Sequence, residues 1–237
     1  MTGASVAMLG FGPGGWGLPL LWATGMTLAA AVCGFTLGAA FGVCGAACKL
    51  SRHAALRLTG QVYTTLFRGV PEILVVYLFY FGGSIALTKV MNLGGLPGFY
   101  SLPSFVIGVL AIGIVSGAYQ TEAFRAGFQR LERGQLEAAS ACGMPPLLRL
   151  RRIVAPQTLR FALPALGNIW QSVLKETSLL SVIGLTELLR QAGIAAGSTR
   201  QPLLFYGVAA LIFLAIGKAT GLGLARMERR LARPWSR

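Results

Sequence analysis

Apolar positions in this chain gather into long blocks separated by short polar or basic stretches. A helix needs about 20 largely apolar residues to cross a hydrocarbon layer. Five blocks reach that length, at roughly 19–47, 64–88, 102–122, 162–184 and 203–225. The first is long enough to cross at a tilt, and the fourth is the least apolar. The pattern predicts an all-α membrane protein of about five transmembrane helices. It divides the chain into an uncharged, glycine-rich external tail (1–16), one transmembrane domain (17–226) and a basic cytoplasmic tail (227–237). Gly94, Gly95, Pro97 and Gly98 mark turns in the short segment 89–101. The longest polar segment, 123–161, has an amphipathic pattern of its own and exceeds a minimal connection, which predicts that it binds something.

Composition supports lipid as the solvent. Charged residues make up 12% of the 237, about half the share of a soluble domain. The net charge of +14 raises a nucleic-acid reading, but its distribution argues against one. No charged residue precedes Lys49, and the basic residues then cluster between apolar blocks. Sixteen of the 21 Lys and Arg residues fall on one side of the five-helix layout and three on the other. By the positive-inside rule this predicts an external N-terminus and a cytoplasmic C-terminus. The first block lacks a basic leader and a cleavage site, so it is read as a retained helix.

Catalytic and metal chemistry have little to work with. The chain has no Asp, seven Glu and one histidine, His53. Cys33, Cys44, Cys48 and Cys142 form no CxxC pair, so no metal site and no catalytic centre are expected. There is also no phosphate-binding loop of the GxxxxGK[ST] type.

The segment 123–161 carries a motif. Glu137-Ala138-Ala139 is followed after three residues by Gly143, and after nine more by Ile153, Ala155 and Pro156. This resembles the EAA loop of ABC importer permeases, with Ala155 standing where that family has Leu. Gly143 can turn the chain sharply, and Pro145 and Pro146 block helix continuation. Further stretches resemble permeases for polar amino acids: Arg68-Gly69-Val70-Pro71-Glu72, residues 118–127 (AYQTEAFRAG) with Gly134-Gln135, and residues 174–179 (LKETSL). Together they cover most of residues 48–185. They look most like the permeases for histidine, lysine, arginine and ornithine, or for octopine and nopaline.

The resemblance implies a non-catalytic subunit of an importer in the bacterial cytoplasmic (inner) membrane. Glu137, Ala138, Ala139, Gly143 and Met144 would dock on an ATPase. The implied partners are a second permease subunit, identical or homologous, two ABC ATPases that bind ATP and Mg, and an external solute-binding protein. The substrate would be a polar, basic amino acid or an opine. The rival reading is a secondary transporter or channel, which would show coupling carboxylates or inverted repeats.

Polar residues inside membrane helices mark candidate path residues. Asn168, Gln171, Lys175 and Ser178 recur at helical spacing and form one stripe, with Glu176 beside it. That stripe faces either the translocation path or a partner permease. Glu72 stands four residues after Arg68, so it either lines the path or pairs with Arg68 along one helix face. Glu122 and Arg125 have the spacing of a structural ion pair. The aromatic run Tyr77, Phe79, Tyr80 and Phe81 is expected to pack between helices or to form an interface belt, and tail arginines such as Arg229 and Arg230 to meet anionic lipid headgroups.

Overall fold

The computed structural model describes residues 8–12, 14–96 and 98–232, with side chains to residue 230. Among them the regular structure is helical throughout. Helix α1 (Gly17–Leu50) runs for 34 residues, about 50 Å at 1.5 Å per residue. It ends at Ser51, and a short turn leads into α2 (Ala54–Gly69). Helix α3 (Glu72–Tyr77) passes through a π-helical turn at Leu78–Gly82 into α4 (Gly83–Leu93). Helix α5 (Ser104–Gln129) precedes two short helices, α6 (Arg133–Ala141) and α7 (Pro146–Arg149). A second π-helical turn, Leu150–Val154, leads into α8 (Ala155–Glu176) and a 3-10 stretch, Thr177–Ile183. Helices α9 (Leu188–Thr199) and α10 (Pro202–Ala232) complete the chain.

Four segments are long and apolar enough to cross a membrane: α1, Glu72–Leu93, α5 and α10. A fifth span exists if Pro146–Ile183 and α9, bent by 53° against each other, count as one. The expected second block, 64–88, is not one helix. Its first residues belong to α2, and the chain breaks at Val70 and Pro71, both extended. Proline clashes with a helical conformation in the residue before it, so Val70 is forced out of the helix. The expected fourth block, 162–184, also differs, because α8 starts at Ala155 and becomes a 3-10 stretch at Thr177. The polar loop is shorter than 123–161, because α5 continues to Gln129. The first part of the basic tail is helical, as α10 reaches Ala232. Arg233 and Arg237 lie outside the described residues.

The centre of the bundle is the parallel pair α1 and α5, whose contacts advance together from Gly34–Ile112 through Gly38–Ser116 to Lys49–Glu122. It is close-packed because glycines of α1 lie against polar groups of α5. A Cβ at Gly38 would lie 2.2 Å from Ser116 Oγ, and one at Gly42 would lie 2.8 Å from Gln120 Cβ. Small residues at such a seam let membrane helices approach closely. Around it sits the main core of Ala30, Ala31, Ile107, Ala111, Val173 and Leu180. A second cluster joins Leu20 of α1 to Leu188, Ala192 and Phe205 of α9 and α10. Met8, Leu9 and Trp16 pack on that cluster, and Trp16 N donates to Met8 O at 2.8 Å. The described part of the expected tail is therefore folded back onto the helices. Leu203, Leu211, Leu214 and Trp22 point outward and are mostly exposed, as side chains facing lipid would be.

Candidate functional site

The EAA residues form a compact helical hairpin. Helix α6 carries Glu137 and Ala138 on its exposed face and Ala139 buried beneath. The helix ends in a chain reversal built on a left-handed residue. Cys142 N donates to Ala138 O, Met144 N donates to Ala139 O at 3.0 Å, and Gly143 has φ +71°. An L side chain is strained there, which is why the position takes glycine. Pro145 then resets the chain, and Pro146 opens α7, where its missing N–H costs nothing. Arg149 of α7 donates to Ser140 Oγ of α6, and Gln157 donates to Gln135 Oε1 at 2.7 Å, so the hairpin is cross-linked at both ends. A cavity of 590 Å³ lies on its concave side between Leu136, Glu137, Arg149 and Val154. The outer surface presents Glu137, Ala138 and the largely exposed Leu147.

The second site is a polar cavity within the bundle. It measures 220 Å³ and is lined by Glu72, Ser116, Tyr119, Asn168, Ser172 and Glu176, among others. A neighbouring cavity of 330 Å³ shares Glu72, Ser172 and Glu176 and adds Lys175. Glu72 and Glu176 thus line both cavities, with Lys175 beside them in the second.

This arrangement revises the expected polar stripe. Asn168, Ser172 and Glu176, four residues apart, line the first cavity. Gln171 points elsewhere: its Nε2 donates to Gly217 O of α10 at 2.9 Å. A Cβ at Gly217 would lie 3.1 Å from Gln171 Oε1, so the glutamine fills a groove in α10. Ser178 Oγ donates to Lys175 O, its own helix backbone, at 2.7 Å. Asn168 and Glu176 therefore share a cavity, Lys175 borders it, and Gln171 joins two helices. Neither Ser172 nor the α5 residues Ser116 and Tyr119 stands out in the sequence as a lining residue. Their only signal is a small or polar side chain at helical spacing in an apolar helix.

The expected local pair of Arg68 and Glu72 is not formed. Val70 and Pro71 break the helix between them, so the four-residue register is lost. Arg68 lies over the Tyr119 ring, 5.3 Å from its centre, a cation–π contact. Glu122 and Arg125 do pair, at 2.8 Å, and Lys49 of α1 joins them on Glu122 Oε1.

One further buried carboxylate is not legible in the sequence. Glu187 is fully buried and caps α9, accepting from Leu189 N at 2.9 Å and Arg190 N at 2.8 Å. Beside it, Leu188 N donates to Thr27 Oγ1 of α1 at 3.1 Å. Glutamate is outside the usual N-cap set, so the helix start gives little warning.

A membrane bundle with a cross-linked helical hairpin on one end and a polar cavity in its interior has the architecture of a transport permease. Residues 34–233 match the family of inner membrane components of binding-protein-dependent transport systems, and the chain belongs to that family. It is a multi-pass protein of the inner membrane, and membership of a binding-protein-dependent family sets aside the secondary-transporter and channel readings. It is 51% identical over 226 residues to the octopine transport system permease protein OccQ of Rhizobium radiobacter, covering 95% of each chain. It is 37% identical over 205 residues to the histidine/lysine/arginine/ornithine permease protein HisQ of Escherichia coli, covering 86% of this chain and 90% of the relative. A crystal structure of an amino acid ABC transporter with histidines superposes at TM-score 0.77 and 31% identity, over 97% of this chain and 100% of that one. The inward-facing MetNI methionine transporter shares the fold at TM-score 0.68 and 16% identity, over 98% of this chain and 100% of that one.

Proposed function

We propose that the chain is the permease subunit of an ATP-driven importer for basic amino acids or opines. The observation that carries the substrate class is the paired Glu72 and Glu176 beside the interior cavity. Two carboxyl groups beside one ammonium offer a site where an arriving guanidinium or ammonium favours the ionised carboxylates by charge neutralisation. In a low-dielectric setting that neutralisation favours a cation over a neutral side chain. Asn168, Ser172 and Ser116 supply donors and acceptors for the substrate's other polar groups. The octopine and basic amino-acid relatives support this substrate class.

Two ABC ATPase subunits bind ATP and Mg and supply the work, in line with the lack of a GxxxxGK[ST] loop in this sequence. Glu137, Ala138, Gly143 and Met144 form the surface that docks on one of them, while Ala139, expected on that surface, is buried and seats the helix from beneath. A rigid hairpin transmits displacement as a rigid-body push. A second permease subunit, identical or homologous, closes the other side of the path, and an external solute-binding protein delivers substrate. The basic hairpin and C-terminal residues face the cytoplasm, with the N-terminus outside. ATP binding and hydrolysis shift the assembly between inward- and outward-open states.

The test is ATP hydrolysis by the complex reconstituted in liposomes, with binding protein loaded with arginine, histidine, octopine or glutamine. The cationic and guanidinium-bearing ligands should stimulate hydrolysis and glutamine should not. Stimulation by glutamine alone would overturn the acidic-cavity reading.

A further inference from the structure

We propose that Lys49 and Glu122 are positioning residues that carry movement of the coupling hairpin to the segment bearing Glu72, a role that rests on the importer reading.

Helix α5 continues almost directly into the hairpin. Only residues 130–132 separate it from α6, and they are tied back: Arg130 N donates to Gly127 O at 3.3 Å and Leu131 N donates to Phe128 O at 3.1 Å. A push on α6 therefore moves the end of α5. Glu122 lies two helical turns before that end, and its Oε1 accepts from Lys49 Nζ at the last turn of α1. The same ammonium donates to Thr64 Oγ1 of α2 at 2.8 Å. One cation thus joins three helices.

The fold makes room for it. A Cβ at Gly60 of α2 would lie 2.7 Å from Lys49 Cγ, so the lysine stem passes through the space a side chain would fill. The side chains of Lys49 and Glu122 are 15% and 21% exposed. A partly buried pair is less screened by water than one at an open surface. Helix α2 then leads through the extended Val70–Pro71 break, whose backbone angles proline restricts, into Glu72. The physical sequence is hairpin, α5, Glu122, Lys49, α2, cavity carboxylate.

Arg125 provides the contrast. It also pairs with Glu122, at 2.8 Å, but both residues belong to α5. That pair balances charge without joining helices. Loss of Lys49 removes the ionic tie among α1, α2 and α5. Among the described residues, the polar links then left between α2 and α5 are the Tyr63 hydroxyl bond to Ile114 O at 2.7 Å and the Arg68–Tyr119 contact. Loss of Arg125 leaves the ionic tie in place.

The experiment compares Lys49→Met, Lys49→Arg, Thr64→Val and Arg125→Gln in the full reconstituted complex, measuring arginine uptake and ATP hydrolysis together. Lys49→Met should lower uptake per ATP at least about fivefold, the lower end of a typical coupling between sites. Lys49→Arg should restore most of it. Thr64→Val, which removes only the α2 arm and keeps the ion pair, should shift the ratio in the same direction by less. Arg125→Gln should stay within about twofold of wild type, as a partly exposed pair within one helix contributes little. A merely structural role would lower the yield of assembled complex and leave the ratio unchanged. If Lys49→Met does not assemble, the Thr64→Val ratio decides. A wild-type ratio in Thr64→Val, or an Arg125→Gln loss equal to that of Lys49→Met, overturns the inference. If wild type itself shows neither stimulated hydrolysis nor uptake, the importer reading falls and this inference falls with it.

Discussion

Gly127 lies where the end of α5 crosses the first turns of α8. A Cβ there would stand 2.6 Å from Thr158 O, 3.2 Å from Ala162 N and 3.3 Å from Ala162 Cβ. The nearest atom is a backbone carbonyl, so no rotamer change relieves the contact. Gly127→Ala must instead part the two helices by several tenths of an ångström. Overpacking of this kind costs about 1–3 kcal/mol. Alanine's better helix propensity returns about 1 kcal/mol, so the net loss is about 0–2 kcal/mol. Gly207→Ala in α10 is the matched control. Its Cβ would meet nothing within 4 Å, so it should leave stability unchanged or raise it by about 0.4–1 kcal/mol. Thermal unfolding of the two variants in the purified complex reads the difference. Gly127→Ala should melt below Gly207→Ala, which should melt at or above wild type. If Gly127→Ala melts no lower than Gly207→Ala, the close approach of α5 and α8 is wrong.

Three further perturbations follow from individual contacts. Gly143→Ala places an L residue at φ +71°, costing about 1–2 kcal/mol, and should weaken co-purification of the ATPase more than Gly134→Ala does. Glu187→Ala removes the cap from the α9 N–H groups at about 0.5–2 kcal/mol, and should speed amide exchange at Leu189 and Arg190. Gln171→Leu removes the hydrogen bond to Gly217 O, worth about 0.5–1.5 kcal/mol. It should lower the unfolding midpoint without changing which amino acid stimulates hydrolysis, because Gln171 lies outside the cavity lining.

Long-range apolar patterning made the membrane bundle legible, because repeated apolar blocks of about 20 residues suit a bilayer and little else. The spacing from Glu137 to Gly143 located a helix and its glycine end, since a left-handed termination leaves a residue-level signature. The span boundaries were less legible. Leu66 and Phe67 look apolar enough to begin a span, but Pro71 divides that stretch, and hydropathy does not register backbone geometry. The polar stripe on α8 divides between two neighbours. Asn168 begins two rows, one through Gln171 and Lys175 and one through Ser172 and Glu176. Which row faces the cavity depends on where α10 packs, and α10 takes Gln171. The link from Lys49 to Glu122 spans 73 residues of sequence, and no local pattern specifies such a pairing.

The most direct measurement of import through the acidic cavity is uptake of labelled arginine by liposomes holding the whole complex, with ATP supplied on the ATPase side and loaded binding protein opposite. Arginine should accumulate above the external concentration only with both ATP and binding protein, and accumulation should fall in Glu72→Gln and Glu176→Gln complexes. Equilibration without ATP, or accumulation indifferent to both carboxylates, would contradict this function.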